Sequence, residues 1–408
     1  MDFQRNLREY AKLAVRVGVN IQPEQGLFVQ APVQAAEFTH LIVDEAYQAG
    51  ARVVDVEWSD GYVRKARLSN SPLDELKIFP QWRVNGILER AKSGYAFLTV
   101  VYPQPGLMDD IPVERHSASQ QAILEGLSEF IAMQMSHKVR WCGISVATPE
   151  WANRVFPGLH YEERLLHLWG IVFNITRVNQ ENPLKAWEHH ISSLRYRTDN
   201  LNGYRFSRLH YKSPVTDLTI ELPRDHVWQG GVGRADNIIQ SIPNIPTEEV
   251  FTAPMRTGVN GYVTSTKPVV FNDHIIEGIR IVFQNGRIVD FTAEKGYEVL
   301  KSIIETDEGS HYLGELALVP YSSPISRTGL TFYDILYDEN ASCHLAIGAA
   351  YPACIKNGTE MSKVDQLAKG LNNSLIHVDF MIGSKELNID GETEDSKVIP
   401  LFRNGEWV

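Results

Sequence analysis

Up to about residue 180, apolar positions come in short runs separated by amphipathic stretches. Gly26-Leu-Phe-Val-Gln-Ala-Pro32 is a compact apolar run, followed by a stretch with helical spacing over 36–49 that ends at Gly50. Ala51 to Trp58 reads as a strand with partial alternation, 73–92 as helix, and Tyr95 to Tyr102 as a further apolar run. A long helical pattern over 117–136 precedes a strand candidate from Val139 to Val146. Strands spaced by helices pair through crossover connections, so this rhythm predicts a mostly parallel sheet with flanking helices. No GxGxxG opens any of these helices, so a dinucleotide site is not supported.

The pattern changes near 180–200. Helical segments at about 160–178 and 184–200 lead into strand-rich sequence. Asn202 to His210, Asp217 to Leu222 and Gly278 to Phe283 alternate with period two, which marks half-buried strands. Asn285-Gly286 stands between two β-runs and predicts a tight hairpin. Helices are expected near 293–306 and 359–371. The expected fold is an α/β N-terminal domain over 1–195 and an α+β, strand-rich C-terminal domain over 196–408.

Composition narrows the function. The 408 residues carry 39 Lys+Arg against 50 Asp+Glu, a net charge of −11. Nucleic-acid and anionic-membrane binders need a basic face, so neither partner is expected. The N-terminus is charged and amphipathic, without the apolar core and cleavage site of a signal peptide. No apolar run is long enough to predict a membrane span. Three scattered cysteines, Cys142, Cys343 and Cys354, include no CxxC pair. They fit a reducing cytoplasm better than a disulfide framework.

Candidate chemistry is concentrated in the second half. Glu248 and Glu249 stand together, Glu315 lies inside an apolar run, and Glu339 precedes His344 by five residues. Tyr351 follows, and Ile376-His-Val-Asp-Phe-Met381 supplies His377 and Asp379. In a strand, positions i and i+2 share a face, so His377 and Asp379 project together while Val378 and Phe380 face a core. Mixed imidazole and carboxylate donors suit a divalent cation. Glu315 among leucines needs a cation, because an unpaired buried carboxylate costs several kcal/mol. Each residue also has a plainer reading. His377 and Asp379 suit a hydrogen-bonded surface pair, Glu315 an ion pair with Arg or Lys, and Tyr351 a packed aromatic. Spacing alone leaves both readings standing.

Several segments nevertheless occur together and in order: Asn244 to Pro254, His311 to Pro320, Asp338 to His344, and His377 to Met381. In these the chain resembles the thermophilic aminopeptidases of peptidase family M29, the aminopeptidase T, S and PepS group, and the likeness runs end to end. The resemblance implies a metal-dependent enzyme that removes N-terminal residues from small peptides with a free amine. It implies two divalent metal ions per chain (Zn, Co, Mn or Mg) held by Glu249, Glu315, Glu339, His344, His377 and Asp379. Tyr351 matches the family's active-site tyrosine, and a cytoplasmic homodimer is implied as well. The rival readings are a two-metal hydrolase of non-peptide amides or esters, a non-catalytic metal-containing binding protein, and an inactive homologue acting through interactions.

Overall fold

A computed structural model describes residues 2–230, 241–271 and 274–408. The described residues divide into two compact units, 2–192 with 241–247, and 193–230 with 248–408.

The first unit is built on the expected parallel sheet. Strands β1 (Gly26–Pro32), β2 (Val53–Ser59), β3 (Ala96–Val101) and β4 (Trp141–Ser145) take the order β2-β1-β3-β4. All the pairings are parallel. β1 and β3 are almost wholly buried, as befits central strands covered on both faces. A short segment, β8 (Asn244–Ile245), adds a fifth parallel strand beside β4.

The helices depart from expectation in places. The stretch 73–92 is two helices, Leu73–Leu76 and Gln81–Lys92, separated at Pro80. Proline has no N–H to offer a preceding turn and disfavours helix in the residue before it. The stretch 117–136 begins earlier and breaks at Leu127 into Val113–Gly126 and Ser128–Met135. Helices Gly61–Asn70 and Pro149–Val155 add to the predicted set. Each starts at a side-chain cap, Asp60 accepting from the Val63 N–H and Thr148 from the Trp151 N–H.

The second unit is strand-rich. Its larger sheet uses β5 (Phe206–Ser213), β6 (Thr216–Glu221), β10 (Val259–Thr264), β13 (Arg280–Gln284), β14 (Arg287–Thr292), β18 (Asn388–Thr393), β19 (Val398–Arg403) and β20 (Glu406–Trp407). They run in the order β14-β13-β10-β6-β5-β18-β19-β20, and all neighbours are antiparallel. The turn between β13 and β14 is Asn285-Gly286, both at positive φ (48° and 81°), which only such residues adopt readily. β11 (Val269–Phe271) and β12 (His274–Ile276) form a separate pair. A second sheet carries β7 (Gln229–Gly230), β9 (Val250–Thr252), β15 (Leu313–Leu318), β16 (His344–Gly348) and β17 (His377–Met381) in the order β17-β16-β15-β9-β7. Every residue of β15 and β16 is buried.

Candidate metal centre

Register explains how separated residues meet. Glu315 of β15 pairs with Ala346 of β16, which pairs with Asp379 of β17. One row along, Phe251 of β9 pairs with Ala317, then His344, then Met381. Paired residues of antiparallel strands share a face, and so do residues two apart. Glu315, His344, His377 and Asp379 therefore project from a single face. Glu249, two residues before Phe251, precedes β9 on the same side. The opposite face holds Leu316, Leu345, Val378 and Phe380, all buried and apolar. Ala317 and Ala346 contribute only methyl groups on the polar face, which leaves room among the larger donors.

A bulge sets the edge of the site. The β15–β16 register shifts between Leu313 and Glu315. A Cβ on Gly314 would meet Ala349 O at 2.3 Å and Gly348 O at 2.4 Å, so only glycine permits this approach. Bulges of this kind re-aim neighbouring side chains.

The resulting distances are short. His344 Nε2 lies 3.0 Å from Glu249 Oε2, 3.6 Å from Glu315 Oε1 and 4.0 Å from Asp379 Oδ1. His377 Nε2 lies 3.5 Å from Glu315 Oε2 and 3.6 Å from Asp379 Oδ1. Two tight groups result, Glu249–Glu315–His344 and Glu315–His377–Asp379, with Glu315 common to both. Both histidines are oriented through their other nitrogen. His344 Nδ1 is 3.1 Å from Ser342 O and His377 Nδ1 is 2.7 Å from Ala349 O. A carbonyl can only accept, so each Nδ1 carries a proton, and each Nε2 can act as a donor atom toward a cation that displaces the proton there.

Glu339 stands somewhat apart from these groups. It begins a short turn after the helix Ile335–Asp338, is buried, and accepts from Asn340 Nδ2 at 3.2 Å. It belongs to neither tight group among the described residues. Burial first, then the charges of Asp379 and Glu249, raise its carboxyl well above the ordinary range. Asn340 also accepts the Glu248 N–H at 2.7 Å, tying the Glu248–Glu249 corner to the Glu339 turn. Glu248 itself is in neither tight group.

Tyr351 follows β16, and its ring meets those of His377 (centroids 5.3 Å apart) and Phe251 (5.5 Å) edge-on. Burial, followed by the nearby carboxylates Glu315 and Asp379, pushes its phenol well above its usual value. It is therefore a hydrogen-bond donor across the working pH range. The loop behind it is pinned by Gln229, whose amide donates to Ala353 O at 2.6 Å, and by the Val227 N–H donating to Cys354 O at 2.7 Å. Gln229, Ser342 and Ala349 escaped the sequence reading. Backbone carbonyls have no residue signature, and a lone glutamine gives no spacing to read.

This donor set fits a divalent cation. Asp379 Oδ1 is buried and accepts no hydrogen bond among the described residues, although it faces both imidazoles. Glu315 makes its ion pairs with histidines, not with the Arg or Lys of the plainer reading. Carboxylates packed this closely repel one another unless positive charge, a proton on each imidazole or a bound cation, lies among them.

Comparison with known proteins decides the family. A profile described as thermophilic metalloprotease (M29) matches residues 3–407. The chain belongs to the M29 family. Aminopeptidase AmpS of Bacillus subtilis is 47% identical over 406 residues, covering 100% of this chain and 99% of the relative. Aminopeptidase T of Thermus thermophilus is 40% identical over 416 residues, with 100% and 99% covered. The solved structure of wild-type AmpT from Thermus thermophilus has a TM-score of 0.91 at 39% identity, covering 100% of both chains. As an M29 member the chain is a metalloaminopeptidase, a hydrolase whose family implies a divalent metal.

Proposed function

We propose that this M29 enzyme removes N-terminal residues from peptides using two divalent ions (Zn, Co, Mn or Mg), held by the two groups that share Glu315. The observation that carries this reading is that sharing. One carboxylate faces His344 through Oε1 and His377 through Oε2, an arrangement that would let it serve two cations. Glu249 and His344 would complete one shell, His377 and Asp379 the other, with Glu339 closing the set from its turn. Bound divalent ions supply Lewis acidity, acidifying water toward neutrality and polarising a scissile carbonyl.

The chain's own residues do the rest. Tyr351 donates its phenolic O–H to the oxygen that gains charge in the transition state, a contact worth roughly 3–4 kcal/mol in comparable sites. Glu249 is the best placed proton carrier to the leaving amine. It belongs to one group only, and its side chain is 13% exposed against 6% for Glu315. The substrate's free α-amino group finds an acidic environment that a blocked N-terminus cannot use. In this reading 196–408 is the catalytic domain and 1–195 its scaffold, in a cytoplasmic homodimer.

Glu315→Gln and His377→Ala should each lower hydrolysis of leucine p-nitroanilide by about a hundredfold or more with metal supplied. Near-normal rates in both would overturn the assignment. Acetyl-leucine p-nitroanilide should stay uncleaved; rapid cleavage would favour a hydrolase indifferent to the amine.

A further inference from the structure

The first unit contains a cavity of about 320 Å³ between strand β2 and the helix Gln81–Lys92. Phe28 and Ile87 give it an apolar lining. Four charges ring it. Asp55 and Glu57 project from one face of β2, two residues apart, and Arg83 and Arg90 from one face of the helix, seven apart.

Gly86 lies on that helix face between the two arginines, three residues from one and four from the other. Glycine inside a helix is disfavoured relative to alanine, and here the missing side chain is what leaves the space open. A Cβ at that position would meet only Arg90 Nη1, at 3.4 Å.

The two arginines differ in how well they are satisfied. Arg90 is fixed: Nε donates to Asp55 Oδ2 at 3.1 Å, Nη1 donates to Gly86 O at 3.0 Å, and the guanidinium lies over the Phe28 ring. Arg83 has a looser contact, Nη2 to Glu57 Oε1 at 3.4 Å. Its Nε is shielded from solvent and has no acceptor among the described residues. The Arg83 side chain is 41% exposed and its contact with Glu57 is long, so its guanidinium can take an anionic group from outside.

We propose that this cavity binds a free α-amino acid with an apolar side chain. Two guanidiniums and two carboxylates balance, so a simple anion would meet two like charges, and so would a simple cation. A zwitterion matches both signs at once. Its carboxylate takes the guanidinium of Arg83, and its ammonium takes Glu57 and Asp55. Its side chain fills the space over Gly86 against Ile87 and Phe28. This is the class of molecule that an aminopeptidase releases, but the binding argument rests on the cavity alone.

Isothermal titration of the metal-supplied full chain with leucine tests this, beside Arg83→Met and Gly86→Leu. The first keeps the long apolar stem without the charge, and the second fills the cavity. Thermal melts check that both variants fold. One leucine site per chain should be lost, or weakened at least tenfold, in both variants, with kcat/KM on leucine p-nitroanilide kept within twofold. Leucinamide and N-acetyl-leucine should leave that site empty in the unsubstituted chain. Failure of the aminopeptidase reading would show as absent hydrolysis with the isotherm intact. Unchanged number and affinity of leucine sites in both variants would overturn the proposal.

Discussion

Glu315 and Asp379 each lie within 4.0 Å of both imidazoles, and this crowding governs how the centre responds to substitution and to pH. Tyr351 meets the cluster through its ring, packed T-shaped with that of His377, so Tyr351→Phe should leave metal content unchanged. The same variant should lower kcat by about 100- to 1,000-fold, the usual cost of one oxyanion donor. A fall in kcat of less than about tenfold would remove the tyrosine from that role. Protonation adds a second test. Burial pushes the Glu315 carboxyl up to about 7, with His344 and His377 opposing and Glu249 and Asp379 adding to the rise. The unfolded chain releases that proton near 4.5, so this group's stabilisation is present below that value and is lost as pH rises toward 7. Burial opposes charge on His344, but its hydrogen bonds to Glu249 and Glu315 outweigh it and raise the ring well above 6.5. Burial likewise opposes charge on His377, and Asp379 and Glu315 raise it. Their stabilisation is complete below the unfolded value near 6.5 and is lost as pH climbs through the folded ones. The metal-free protein should therefore weaken with rising pH, while divalent ions displace these protons. Calorimetry with and without chelator should show a metal-induced rise in Tm larger by at least about 5 °C at pH 8 than at pH 5. A rise independent of pH would contradict this electrostatic picture.

Three adjacent strands carry the central candidate ligands, and their register makes a testable claim. Ala346 sits between Glu315 and Asp379 in one cross-strand row, and its small side chain leaves the centre open. Ala346→Leu would place a branched side chain there, and should strip bound metal while costing about 1–3 kcal/mol of stability from overpacking. Metal analysis and a denaturant melt of the variant check both outcomes, and full occupancy would refute the register argument. The strands themselves were legible in the sequence: Ile376 to Met381 alternates polar and apolar, and Asn285-Gly286 marks its hairpin. Other elements were less so. Residues 202–204 read as strand but finish the helix Pro183–Tyr204, where Asn202 accepts the Trp228 N–H and donates to Trp228 O. That tertiary pairing overrides local alternation. The bulge at Gly314 depends on a backbone approach from β16, and β8 is two residues long. Neither leaves a periodic pattern to find.

Across the whole molecule, the donors come from segments near residues 249, 315, 339–344 and 377–379 and converge on one sheet. The donor types and the shared face of His377 and Asp379 could be argued from residues alone. Which carboxylate is common to both groups could not, because cross-strand pairing lies outside any local window. Glu339 shows the same limit, since its turn carries it near the cluster but outside the two tight groups. Part of the net charge of −11 is therefore gathered into a buried centre that calls for cations, and the rest is dispersed. No described helix is long and apolar enough to cross a membrane. The strands that carry the cluster are also held by their cross-strand pairing and by the buried apolar residues of their other face, so chelation should abolish activity while the far-ultraviolet circular dichroism stays native. The most direct measurement is metal stoichiometry of the purified chain, coupled to activity through chelation and reloading. Two divalent ions per chain are expected, with hydrolysis of leucine p-nitroanilide lost on chelation and restored as the second ion returns. Full activity with no metal, or with a single ion per chain, would contradict it.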